Sequence, residues 1–113
     1  MNVTDTLSAE HYRWGDGCSG WHLLKHDDFS VIEECVPPGQ NEQRHFHNNS
    51  RQFFYILQGE AVLEIDGTVF ILRAQQGIEV PPKVAHQFRN ESSSEVRFLV
   101  MSVPKAHGDR VEV

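Results

Sequence analysis

Apolar residues along this chain fall in short β-like runs separated by turn residues, and nowhere do they recur at i, i+3, i+4 and i+7 for more than a turn. The runs Trp21 to Lys25 and Phe29 to Val36 predict two strands joined by a turn at His26-Asp27-Asp28. Pro37-Pro38-Gly39-Gln40-Asn41 then breaks the chain, because proline donates nothing to a ladder and glycine permits positive φ. Gln43 to Asn48 reads as a strand, followed by the polar turn Asn48-Asn49-Ser50, and the aromatic, β-branched run Gln52 to Leu57 predicts another. Ala61 to Ile65 and Thr68 to Leu72 flank Asp66-Gly67, a pair that tolerates left-handed turn geometry and so predicts a tight hairpin. Gly77 to Val80 leads into Pro81-Pro82, and Ala85 to Asn90, the loop Glu91-Ser92-Ser93-Ser94 and Glu95 to Val103 complete the series. Pro104 opens a polar tail.

This spacing of strands and turns is that of an all-β sandwich or barrel with antiparallel pairing. No repeat, low-complexity segment or linker divides the chain, so residues 1–113 are expected to form one domain. Hydrophobic residues make up 39% of it, too many for disorder. The formal net charge of −6, with acidic residues spread along the chain, disfavours nucleic acid as a partner, since phosphate binding needs a basic stripe. No apolar run approaches the roughly 20 residues that span a bilayer. The start lacks a positive region followed by an apolar stretch, so no signal peptide is expected and a cytoplasmic location is the default. Cys18 and Cys35 are far apart and form no C-x-x-C pair; a disulfide or a metal thiolate is the functional alternative to two reduced, small apolar side chains, and neither is assigned a role.

Seven histidines in 113 residues is a high count. His45 and His47 stand at i and i+2 in a predicted strand, where side chains alternate, so both imidazoles point to one face. Gln52 opens the next strand and can fold back beside them, and His86 follows the Pro81-Pro82 break. A lone interior histidine is commonly a hydrogen-bonded core residue. Two buried neutral imidazoles without partners, however, carry unsatisfied nitrogens at about 1–3 kcal/mol each. Three imidazoles and one amide oxygen form a donor set for one divalent ion: iron, manganese, nickel or zinc.

At these residues the chain resembles the cupins, small conserved β-barrels, in their short form. The family's first motif is G-x5-H-x-H-x3–4-E-x6-G. Here Gly39, five residues, His45-Phe46-His47, four residues, Gln52, six residues and Gly59 fit every spacing (residues 39–59), with glutamine in place of the glutamate. The second is roughly G-x5-P-x-G-x2-H-x3-N. Pro81, His86 and Asn90 match it (residues 77–90), Lys83 stands where the second glycine belongs, and the leading Gly77 is two residues closer. The resemblance implies a cupin-type double-stranded β-helix (jelly-roll) barrel, with His45, His47 and His86 as metal ligands and Gln52 in the fourth position. An amide there keeps an oxygen donor but removes a negative charge, leaving the ion its full +2.

Strand alternation puts Phe54 and Ile56 on the face of Gln52, and Phe88 shares parity with His86, so these three are candidates to line a pocket for a small molecule. Plain core packing is the alternative for each. Outward-facing Phe53, Tyr55 and Leu57 need cover, from the N-terminal strands or from a second subunit, and the resemblance favours a homodimer. Glu33 and Glu79 are candidate proton carriers if they enter the barrel and are otherwise exposed carboxylates. His11, His22, His26 and His107 fall in edge or less ordered contexts, and His107-Gly108-Asp109-Arg110 reads as a solvated or dimer-clasping end. The resemblance implies a mononuclear metal enzyme, a dioxygenase or isomerase of a small oxygen-bearing molecule. A ligand-binding or sensing barrel without chemistry, or a structural barrel with decayed ligation, is the alternative.

Overall fold

A computed structural model describes all 113 residues, Met1–Val113. The chain forms eleven strands: β1 (Glu10–Trp14), β2 (Cys18–Lys25), β3 (Ser30–Val36), β4 (His45–His47), β5 (Arg51–Gln58), β6 (Glu60–Ile65), β7 (Thr68–Arg73), β8 (Gly77–Val80), β9 (His86–Arg89), β10 (Val96–Val103) and β11 (Arg110–Glu112). They assemble into a six-stranded sheet in the order β1-β2-β3-β10-β5-β8 and a five-stranded sheet in the order β11-β4-β9-β6-β7, with every pairing antiparallel. No helix is long and apolar enough to cross a membrane.

The alternation read from the sequence is what faces the two sheets together. On β5, Gln52, Phe54 and Ile56 are buried while Phe53 and Leu57 are exposed. Phe98 and Val100 on β10, Leu63 on β6 and Phe88 on β9 meet them in the core. Phe88 and Phe98 stack with ring centroids 4.1 Å apart, and Phe54 lies over both at 6.4 and 6.0 Å. The β6–β7 hairpin turns at Asp66 (φ 50°) and Gly67 (φ 87°), as the Asp-Gly pair predicts.

Two strands depart from the expected series. β1 lies outside it: in Glu10–Trp14 only Tyr12 and Trp14 alternate with polar residues, and the segment is ordered by its ladder to β2. The polar tail folds back as β11 on β4; His107, Gly108 and Arg110 stay exposed, as expected of a solvated end, while Asp109 is partly covered beside the histidine strand. β2 also begins at Cys18, three residues earlier than the sequence reading, because its Ser-Gly start pairs with both neighbours.

Candidate metal site

β4 and β9 meet through one register pair, His45 opposite His86, and the period-two alternation of β4 brings His47 to the same face. Their ring centroids lie 4.5 Å (His45–His86), 4.9 Å (His45–His47) and 5.8 Å (His47–His86) apart. All three are 5% exposed or less, and their ligand nitrogens fall within 4.8 Å of one another. Gln52 approaches from β5 in the other sheet and is equally buried.

Each imidazole is oriented by a backbone carbonyl. His45 Nδ1 donates to Gln43 O at 2.7 Å, His86 Nδ1 to Val84 O at 3.0 Å and His47 Nδ1 to Asp109 O at 3.1 Å. Those bonds place the proton on Nδ1 and leave Nε2 as an acceptor on every ring. His86 Nε2 is buried without a partner, and so is Gln52 Oε1, whose amide Nε2 donates to Ser102 Oγ at 3.1 Å. The site thus gathers acceptors and offers them no donor, an arrangement that a cation satisfies and that an apolar core does not. Burial keeps the rings neutral: it pushes His45 down to about 3 and lowers His47 and His86 as well. The buried triad could bind a metal ion, and the donor set fits one.

The surroundings hold the ligands in place. The Asp109 carboxylate accepts the backbone N–H groups of Asn48, Asn49 and Ser50 at 3.1, 2.8 and 2.9 Å, clamping the turn after His47 to the C-terminal segment. Those bonds, led by the one from Asn49, hold its carboxyl below the usual carboxylate range. The Lys83 N–H donates to His47 O at 2.6 Å, tying the loop before β9 to β4. Lys83 adopts φ 68°, the left-handed conformation for which the expected glycine is suited.

A part-open cavity of about 700 Å³ lies over the site, lined by His45, His47, Gln52 and Phe54 together with Tyr12, Glu34, Glu42 and Arg110. A smaller one of about 260 Å³ adjoins it at His22, Gln52, Val100 and His107. Of the proposed pocket residues, Phe54 is on the cavity wall. Ile56 and Phe88 are packed in the core instead, at 0% and 1% exposure. Neither Glu33 nor Glu79 enters the cavity: Glu33 faces outward and pairs with Arg97 at 2.9 Å, and Glu79 is exposed beside Arg51. Both cysteines are free and buried.

Sequence reasoning missed the acidic wall of the cavity. Glu34 shares strand parity with Ile32 and Val36, which marks it as inward, but its neighbours Val31 and Cys35 give the opposite face an equally apolar look. Glu42 sits in a loop, where parity says nothing. Tyr12 and Arg110 come from the two strands that went unrecognised.

The Cupin domain family model matches residues 32–102. Polyketide synthase CurC from Streptomyces cyaneus is 36% identical over 69 residues, covering 61% of this chain and 45% of that protein, so this chain spans about half of CurC's length. Among solved structures, an RmlC-like cupin from Shewanella frigidimarina superposes with a TM-score of 0.83 at 20% identity, over 95% of this chain and 94% of the other. The polyketide cyclase RemF from Streptomyces resistomycificus gives 0.83 at 20% identity, over 100% and 85%. The fold is therefore the double-stranded β-helix of these structures.

Proposed function

We propose that this chain, which belongs to the cupin family, is a mononuclear metal enzyme that acts on a small oxygen-bearing molecule, by chemistry of the isomerase or dioxygenase type. In this reading His45, His47 and His86 hold one ion of iron, manganese, nickel or zinc through their Nε2 atoms, and Gln52 Oε1 is the fourth donor. The observation that carries it is the pair of buried acceptors without partners, His86 Nε2 and Gln52 Oε1, on side chains whose other polar atoms are engaged. All four donors are neutral, so a bound ion keeps its +2 charge and supplies Lewis-acid polarisation of a carbonyl or enolate oxygen. Phe54 gives the cavity an apolar wall, and Arg110 adds a positive charge to a lining that also carries Glu34 and Glu42. The names of CurC and RemF, a polyketide synthase and a polyketide cyclase, add support for a carbonyl-rich substrate.

The expected homodimer belongs to the same reading. Phe53 and Leu57 on β5 and Val69, Phe70 and Ile71 on the edge strand β7 are exposed apolar side chains that a second copy would cover.

Elemental analysis tests the metal. Protein stripped with chelator and dialysed against zinc should hold one ion per chain, and His45→Ala and His86→Ala should hold none. Zinc retained in full by both variants would place the ion elsewhere and end this reading.

A further inference from the structure

Tyr12, Gly20 and Glu34 stand directly opposite one another across β1, β2 and β3. A side chain on the middle strand would separate the outer two. Gly20 has none, and a Cβ built there would lie 2.1 Å from Tyr12 Cζ and 2.4 Å from its hydroxyl oxygen. The phenol therefore occupies the space above β2 and donates its hydroxyl to Glu34 Oε2 at 2.5 Å. The chain's other well-covered carboxylates are held differently. Glu33 pairs with Arg97 on the outer face and Glu64 with Arg44 on β6, while Glu34 and Glu42 have no cation within salt-bridge distance and both line the cavity that holds His45, His47 and Gln52. Glu42 accepts the Phe88 backbone N–H at 3.0 Å, and Glu34 is held by the Tyr12 hydroxyl.

We propose that Glu34, positioned by Tyr12 across the gap at Gly20, is the proton carrier of this cavity and that the substrate is an enolisable carbonyl compound whose oxygen faces the histidine triad. The inference rests on the metal reading above and names the substrate class of the same site. The Glu34 carboxylate takes the proton from the carbon next to the carbonyl. As that C–H bond breaks, its electron pair forms the C=C bond of the enolate, and the carbonyl π pair moves to oxygen. The protonated Glu34 then returns the proton to the same or a neighbouring carbon, so the step is redox-neutral and consumes no co-reactant.

The electrostatics suit the task. Burial pushes the Glu34 carboxyl up to about 7, against the Tyr12 hydrogen bond and the Arg110 charge, which lower it. The groups that act on it are Tyr12 and Trp14 from β1, Cys18 from β2, Glu42 from the loop before β4 and Arg110 from β11. Glu42, which lines the same cavity, is pushed up to about 8 chiefly by burial and then by the Glu34 charge, and its carboxylate is engaged by the Phe88 backbone N–H.

The test combines two readouts. Protein with 13C-labelled glutamate side chains, metal-free, is titrated by NMR, with Glu34 identified by the resonance lost in Glu34→Gln. Its carboxyl should titrate near neutrality, and Tyr12→Phe and Gly20→Ala should each move the midpoint up by about half a pH unit or more. Zinc-loaded protein is then given dihydroxyacetone in D2O, and α-proton exchange is followed by proton NMR. Wild type should accelerate exchange, Glu34→Gln should lose about 100-fold or more at unchanged zinc content, and the outward Glu33→Gln should match wild type. Titration of Glu34 wholly below pH 5.5, exchange in Glu34→Gln equal to wild type, or a zinc-loaded wild type no faster than buffer each overturns the proposal. A protein that takes up no zinc overturns the metal reading and this inference with it, and elemental analysis tells that failure from the others.

Discussion

Gln52→Met separates a ligand from a structural amide by the sign of its effects. Gln52 is 7% exposed, and its two polar atoms are in opposite states: Nε2 donates to Ser102 Oγ at 3.1 Å, and Oε1 has no partner. In metal-free protein, removing the orphaned oxygen gains about 1–3 kcal/mol. Losing the amide–hydroxyl bond costs about 1–3 kcal/mol, because the buried Ser102 hydroxyl is left without its one partner. The change of shape between two unbranched side chains of similar volume costs under about 1.5 kcal/mol. At the middle of these ranges the gain and the losses offset, and the stability lies within about 1 kcal/mol of wild type, read from urea denaturation of chelator-treated protein. Deleting a fully satisfied buried amide would instead strand its partners and cost about 2–6 kcal/mol. Zinc affinity of Gln52→Met, measured by competition with a chromophoric chelator, should fall about 10-fold or more. A variant destabilised by more than about 2 kcal/mol that binds zinc as tightly as wild type would refute the reasoning.

Gln52→Glu should bind zinc more tightly than wild type in the same competition assay, since it restores a negative charge beside the ion. Asp109→Ala removes the acceptor of three N–H groups in the turn after His47 while its backbone carbonyl still faces His47 Nδ1. Zinc affinity should drop about 10- to 100-fold, and an unchanged affinity would show that the C-terminal segment does not orient this ligand. Glu42 carries a folded-state pKa of about 8, against an ordinary value of 4.5, so the folded protein holds an extra proton between those limits and its stability falls as pH rises through them. Glu42→Gln abolishes that loss. In urea denaturation of metal-free protein its advantage over wild type should grow from pH 5 to pH 8 by up to about 1.4 kcal/mol per pH unit, and a constant difference would contradict the buried carboxyl.

The sequence showed most where the period-two rule and turn chemistry agree. Asp66-Gly67 with its flanking runs located the β6–β7 hairpin. The His45/His47 spacing located one face of β4, and the parity of Gln52, Phe54 and Ile56 matched the inward face of β5. Parity says which face a residue takes, not how far along the barrel it sits. Phe54 consequently reaches the cavity while Ile56, one alternation further, is sealed in the core with Phe88. The acidic wall was illegible for a different reason. Tyr12 reaches Glu34 only because Gly20 lies between them, a relation among three strands that exists once β1-β2-β3 order is known. Arg110 and Asp109 reach the site through β11, a three-residue strand whose polar composition gives no β signal and whose order comes from pairing with β4. Lys83 shows the converse: the backbone keeps the left-handed turn that the family's glycine favours, and the lysine takes it.

The central claim, that three imidazoles from β4 and β9 share one ion through their Nε2 atoms, is tested most directly by 15N NMR of the histidine rings as zinc is added to metal-free protein. One equivalent should shift Nε2 of His45, His47 and His86 to the metal-bound range while their Nδ1 protons remain, held by Gln43, Asp109 and Val84. His11, His22, His26 and His107 should not move. Zinc-induced shifts on those four, or Nε2 resonances of the triad unchanged at saturation, would contradict the account.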